Sequence, residues 1–244
     1  MKLQPIVTLI ATAALCATAS LTAHAQQGQR WFSVALGTSQ NDHSTVRVKG
    51  PGTDAAFHGV NWAMHPFESA PYYVVKAGTW MQKDPRWGVE LDFTHSKAIA
   101  LTDQTVRAEG TWNGNPLPAT LPLNTRLQRI RFTNGVNILS VLPIRRFASQ
   151  DARIQPYVGA GPAYFIIWSV VEADRVVRHA RYHGAGGLGW TAVMGVRGKM
   201  SERWSWNAEF KVTSGPAEVP ASADSRLSTH VTTRHQTVGV AWHY

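Results

Sequence analysis

Apolar and polar residues alternate along several stretches of this chain, most clearly from Trp87 to Ser96. Trp87, Val89, Leu91 and Phe93 share one parity, and Gly88, Glu90, Asp92 and Thr94 share the other. Side chains alternate faces along an extended backbone, so a strand here has a continuous apolar surface on one side and carboxylates on the other. A soluble sandwich would bury the apolar face, whereas a transmembrane barrel turns it to lipid and keeps the polar face in its lumen. The pattern recurs in Trp31 to Ser39, with Phe32, Val34 and Leu36 on one face, and in Tyr72 to Met81. It predicts further strands over about Arg129 to Leu142, Ile154 to Ile167, His183 to Val196 and Trp204 to Thr213, and in a last segment ending Val238, Val240, Trp242, Tyr244.

The segments between these strands alternate long (41–71, 100–128, 168–182, 214–229) and short (82–86, 143–153, 198–203). In the first long segment Gly50-Pro51-Gly52 reads as a turn and Phe57 to Trp62 as an apolar tip able to dip into a lipid headgroup layer. The second holds Pro116, Pro118 and Pro122 and is too proline-rich for strand. Glu172 to Arg181 reads as a charged loop, and Pro216 and Pro220 fall in the last loop. Asn134 interrupts an apolar parity, which places it near a rim or a bulge. Long outer loops, short periplasmic turns and an even strand number together predict an all-β fold, an eight-stranded antiparallel transmembrane β-barrel of the outer-membrane type with both termini periplasmic. A barrel of that size is filled by side chains and has no open channel.

Composition adds the compartment. Lys2, the apolar run Ile6 to Leu21 and the small-x-small site Ala23-His24-Ala25 predict a signal peptide over 1–25, leaving one barrel domain over 26–244. The single cysteine, Cys16, lies inside that signal, so the mature chain is expected to hold no disulfide and no cysteine metal site. A secreted lectin-like barrel would share this composition. The formal net charge of +9 points to an anionic partner, and an exported chain meets anionic lipid rather than nucleic acid. The alternating aromatic C-terminus looks like the signal read by the barrel assembly machinery of a Gram-negative outer membrane. Gly184 to Gly189 faintly matches a dinucleotide fingerprint, but no helix pattern follows it.

Parity places Lys76, Glu90, Asp92, Arg129, Arg131, Arg197, Glu209 and Lys211 inside the barrel. These charges either fill a polar lumen by pairing, or Glu90 and Asp92 hold a metal or act as acid and base near the outer rim. Histidines 43, 58, 65, 95, 179, 183, 230 and 235 lean to the outer end, and with Asp92 or Glu68 they suit a divalent metal, although no compact metal motif is present. No flavin, haem or nucleotide motif is visible. His95 beside Ser96 suggests a lipid A deacylase or acyltransferase, but adjacent strand residues point to opposite faces.

Four runs carry a resemblance: Phe57 to Trp62, Phe67 to Tyr73, Trp87 to Lys97 and Phe132 to Asn137, the Asp-Phe-Thr-His-x-Lys segment being the most specific. They resemble the lipid A oxidase family of outer-membrane barrels. The resemblance implies oxidation of the proximal glucosamine of lipid A to 2-aminogluconate with molecular oxygen, and lipopolysaccharide as partner. Motif and polarity select Glu68, Asp92 and His95 as candidate catalytic residues, and Lys97, Arg129, Arg131 and Trp62 as candidate substrate contacts. Glu68 or Asp92 would take the proton of the anomeric hydroxyl, His95 would bind a metal or relay protons, and Lys97 with the arginines would hold a lipid A phosphate. A non-enzymatic opacity-type barrel, used for adhesion or envelope integrity, is the alternative from another class.

Overall fold

The alternation of Trp87 to Phe93 is realised as a strand with its apolar side chains outward: Trp87, Val89 and Leu91 are exposed while Gly88, Glu90 and Asp92 are buried. The structure, a computed structural model, describes residues 30–65, 71–181 and 186–244. The expected signal peptide over 1–25, together with Phe67, Glu68 and His183, lies outside the described residues.

The strands are β1 (Arg30–Asn41), β2 (Ser44–Gly50), β3 (Thr53–Val60), β4 (Trp62–Ala63), β5 (Tyr73–Trp80), β6 (Trp87–Ala100), β7 (Thr105–Trp112), β8 (Asn115–Pro116), β9 (Thr120–Pro122), β10 (Leu127–Arg146), β11 (Ile154–Ala173), β12 (Val176–Arg181), β13 (Leu188–Lys199), β14 (Trp204–Pro220) and β15 (Arg226–His243). Eight of them, β1, β5, β6, β10, β11, β13, β14 and β15, pair antiparallel in that order, and β1 pairs with β15 as well as with β5. The ring therefore has no free edge along this path. Outward residues on it are apolar: Phe32, Val34, Leu36, Leu139, Val141, Val158, Trp190, Met194, Trp204, Phe210, Val238, Val240 and Trp242 are all exposed. Short turns join the strands at one end. In one of them Arg86 donates to Asp84 from both its side chain and its backbone, holding that carboxyl below its ordinary value.

The other end departs from the sequence reading. The long connections are folded rather than loose, and β6, β10, β11, β14 and β15 run up to meet them. β2 and β3 form a hairpin through Pro51-Gly52 that pairs with β15 on one side and β7 on the other. Its inward residues Val46, Val48, Ala55 and Phe57 join Ile130, Phe132, Ile138, Phe165, Ile167 and Val219 in one apolar core. Phe57 is thus fully buried against Trp112, not an exposed tip, because alternate apolar residues on both arms of the hairpin give it a face that must be covered. The proline-rich segment forms β7, with Val106 and Ala108 inward, and its prolines fall on the short edge pieces β8 and β9 or between them. The charged loop at 172–181 is a hairpin of β11 and β12 turned at Asp174 and Arg175, both at positive φ. Pro216 and Pro220 lie inside β14. They are tolerated because β14 pairs with β13 only as far as Ser214, so beyond it β14 is an edge strand.

On β10 one parity faces out along the whole strand, Leu139 and Val141 in the belt and Arg129 and Arg131 above it. Ile130 and Phe132 face the interior there, so Arg129 and Arg131, expected inside, stand on the outer wall. The bulge expected near Asn134 is present: β10 shifts register between Phe132 and Val136 against β6 and between Arg131 and Val136 against β11, and Gly135 takes φ 124°.

At the short-turn end the bore is closed by Trp31 and Trp80, ring centroids 5.1 Å apart, with Leu142, Ile144, Val193 and Ala241. A Cβ on Gly78 would lie 2.2 Å from the Trp31 ring. Since Trp31 is fully buried and cannot swing away, Gly78→Val should destabilise the fold by about 1–3 kcal/mol. Denaturant unfolding in detergent, followed by tryptophan fluorescence, checks this against Ala77→Val on the exposed side of the same strand, which should be near neutral.

Candidate functional site

The inward parity of β5, β6, β13 and β14 delivers six ionic groups to the middle of the bore. Lys76, Glu90, Asp92, Arg197, Glu209 and Lys211 are each no more than 6% exposed. Lys76 Nζ bonds both oxygens of Glu209 and lies 3.2 Å from Glu90 and 3.5 Å from Asp92. Lys211 Nζ is 2.9 and 2.8 Å from the two Asp92 oxygens, and Thr94 donates to the same carboxylate at 2.7 Å. Tyr157 donates its hydroxyl proton to Glu209, and Arg197 approaches Glu90 at 4.0 Å. Three cations face three carboxylates, so the network is neutral in itself. Above it His235, expected among the outer-end histidines, is fully buried between the Tyr72 hydroxyl at 3.2 Å and Thr213 at 2.9 Å.

Asp92 belongs to this packed network. A carboxylate held by two lysines and a threonine inside the bore is placed to neutralise charge, not to meet a membrane sugar. Among the described residues no group of three or more His, Cys, Asp or Glu side chains is placed to hold a metal ion.

The other face of β6 tells a different story. Above the apolar belt of Trp87, Val89, Leu91 and Phe93, the same parity continues with His95 and Lys97, but these two are buried, at 5% and 3% exposure. The ladder sets Tyr73, His95 and Asn137 side by side on β5, β6 and β10. The His95 ring stacks on Tyr73 at 5.1 Å and 11°, and its Nδ1 lies 2.8 Å from Asn137 Oδ1. The Asn137 amide nitrogen donates to the Ile166 carbonyl at 3.4 Å, which turns its oxygen to His95 and puts the ring proton on Nδ1. Lys97 donates to the His65 carbonyl at 3.1 Å. Arg131 is exposed one step higher on β10, and Arg129 beside it lies 3.5 Å from Glu172.

The structure thus brings His95, Lys97, Arg129 and Arg131 onto one face and adds Tyr73 and Asn137, which sequence reasoning did not select. Asn137 was legible as a polar-parity residue, but its partner depended on the register across the bulge. Trp62 is elsewhere: its ring stacks on Phe132 at 5.7 Å, and its N–H donates to Ser44 at 3.0 Å, so it seals the upper core. Glu68 lies outside the described residues.

No protein-family model matches the chain, and no curated protein matches it. Among solved structures, the outer membrane protein OprG from Pseudomonas aeruginosa matches with a TM-score of 0.52 at 12% identity, over 90% of this chain and 97% of that one. The likeness is one of fold. Neisserial surface protein A (TM-score 0.43, 10% identity, 89% of this chain and 99% of that one) and the N-terminal β-barrel domain of Pseudomonas aeruginosa OprF (0.40, 11%, 89% and 100%) match more loosely.

Removing one member of the lumen network leaves a buried charge unpaired. Lys211→Met should cost about 3–5 kcal/mol, and the double variant Lys211→Met with Asp92→Leu should recover most of it. A double-mutant cycle on unfolding free energy in detergent reads the coupling; additive losses would mean that the pair does not interact.

Proposed function

We propose that this protein spans the outer membrane of a Gram-negative bacterium as an eight-stranded barrel, enters the periplasm by a signal peptide cleaved after Ala25, and acts on lipid A in the outer leaflet. The observation that carries the reading is the position of the polar row: His95 and Lys97, covered at 5% and 3% exposure, continue the outward parity above the apolar belt of the same strand, beside the exposed Arg129 and Arg131, at the level where a lipid headgroup would lie. The short-turn end, with both described termini, faces the periplasm. The alternating C-terminal strand, Val238 to Tyr244, is the segment offered to the barrel assembly machinery.

The resemblance to lipid A oxidases supplies the reaction. Oxidation of the proximal glucosamine to 2-aminogluconate removes the anomeric hydroxyl proton together with the C1 hydrogen and its two electrons, which pass to molecular oxygen to give hydrogen peroxide. Water then opens the resulting lactone. On this wall His95, buried beside Tyr73 and Asn137, is the group we assign to take the hydroxyl proton, as the titratable base nearest to the headgroup level on β6. Arg131, Arg129 and Lys97 supply positive charge for the anionic headgroup. Asp92 takes no part, because it lies on the opposite face of the strand. The non-enzymatic reading draws on a different observation: the bore is filled and neutral, and the folded upper body is a rigid platform suited to adhesion.

Lipid A mass spectrometry separates the two readings. Expression in a host with an unphosphorylated proximal glucosamine should add one oxygen atom to lipid A in air and none under nitrogen. His95→Ala should reduce the product about 10²-fold or more, and Asp92→Asn, if it folds, should not. Unchanged lipid A masses in air would leave the adhesion reading standing. The membrane span has its own test. Val141→Arg, outward and paired with Leu91 at mid-belt, should cost about 2–4 kcal/mol if that face meets lipid, against about 0.5 kcal/mol or less on a wetted face.

A further inference from the structure

The short-turn end of the bore holds a pair of arginines whose hydrogen bonds do not close. Arg146 and Arg197 are 3% and 5% exposed. Each lies over an indole, Arg146 at 4.4 Å from the Trp80 centroid and Arg197 at 4.3 Å from Trp31. A guanidinium held over a ring by cation–π attraction gains no hydrogen bond from it, so its N–H donors still need an acceptor. Arg146 uses Nη1 on Gln155 at 3.3 Å, yet its Nε and Nη2, and the Nε and Nη1 of Arg197, find no acceptor among the described residues. A buried donor left unmet is destabilising, and more so when it carries charge.

Both arginines line a polar recess of about 190 Å³, bordered also by Gln155, Lys199, Ser205 and His243. The carboxylates nearby do not answer them. Glu202 is held by Lys199 at 2.8 Å, Glu90 lies 4.0 Å from Arg197 but is shared with Lys76, and Asp151 is exposed at the rim. With Arg197 counted in the neutral lumen network, the recess holds Arg146 and Lys199 against Asp151 and Glu202, so what is left over there is unmet donors rather than net charge.

We propose that this recess binds a small tetrahedral oxyanion of the phosphate or sulfate class, held between the two guanidinium groups. Planar donor edges suit the oxygens of such an ion, and its negative charge relieves the repulsion between two buried cations. The site is separate from the outer-wall row: it opens at the other end of the barrel and draws on β10, β11, β13, β14 and β15.

The test uses the full mature chain in detergent micelles. Inorganic phosphate is titrated at constant ionic strength, with chloride as reference, while heat of binding and unfolding temperature are recorded. The expected result is saturable one-to-one binding with a raised unfolding temperature, weakened about tenfold or more by Arg146→Lys or Arg197→Lys, which keep the charge and lose the fork. Equal stabilisation by chloride, or phosphate binding unchanged in both variants, overturns the proposal and leaves the recess to water. Should neither variant fold, the wild-type protein still decides. Broadening of the phosphorus NMR signal of inorganic phosphate that sulfate reverses supports the site, and its absence overturns it. Glycerol phosphate tells the source: its exclusion marks a free ion and its equal binding a phosphate carried on a lipid headgroup, and either result upholds the oxyanion site.

Discussion

A ring of eight strands has a bore of fixed width, and everything inside it must fit and be electrically satisfied. Lys76, Lys211 and Arg197 meet Glu90, Asp92 and Glu209 there with almost no exposure to solvent. Ion pairs of this kind add little net stability over apolar packing, since the gain from pairing is offset by the loss of hydration. What they impose is register. A slip of one residue on β6 would carry Glu90 and Asp92 to the outer wall and pull Leu91 inside, leaving Glu209 as the one carboxylate of the network to answer three buried cations. The pairing that neutralises the bore therefore also fixes which residues face outward, including His95.

The interior changes character along its axis. Indoles with arginines lying on them close one end, the ionic network fills the middle, and an apolar core occupies the other end. That upper core explains the length of the strands. The 20 residues of β10, at roughly 3.3 Å each, measure about 66 Å along the strand, far more than a tilted crossing of an apolar band of about 25 Å needs. The excess of β10, β11, β14 and β15, with β2, β3 and β7, builds a body beyond the belt, so the long connections serve as walls rather than loops.

This division marks how far the sequence could be read. Within the belt, parity alone decides the side a residue takes, and Phe32, Val34, Leu36, Trp204, Phe210, Val238 and Trp242 all stand outward as their alternation implies. Above it the same rule still sorts residues into two faces but no longer says which face is inside, because the apolar set turns from lipid to core. Arg129 and Arg131 were placed inside for that reason. Prolines misled in the same region: Pro216 and Pro220 mark an edge, not a loop, and an edge is defined by what β13 fails to reach. The bulge near Asn134 was legible because a polar residue on an apolar parity is a local contradiction. The Tyr73, His95, Asn137 row was not, since it depends on register across three strands.

One strand thus serves two environments. Asp92 and His95 are three residues apart on β6, an odd number, so an unbroken strand sends them to opposite sides of the wall. On the proposed reading, a sugar anchored in a lipid leaflet by its acyl chains would approach the outer side and be shut out of the filled bore. Proximity in sequence, which makes the Asp-Phe-Thr-His-x-Lys run look like one site, therefore separates in space into a part inside the bore and a part on the other side of the wall. His95 depends on the second set alone. Asn137 orients its ring, Tyr73 stacks against it, and both sit on flanking strands whose register the buried ion pairs hold in place. The acidic member of the motif would then act on that site only through the ladder it stabilises.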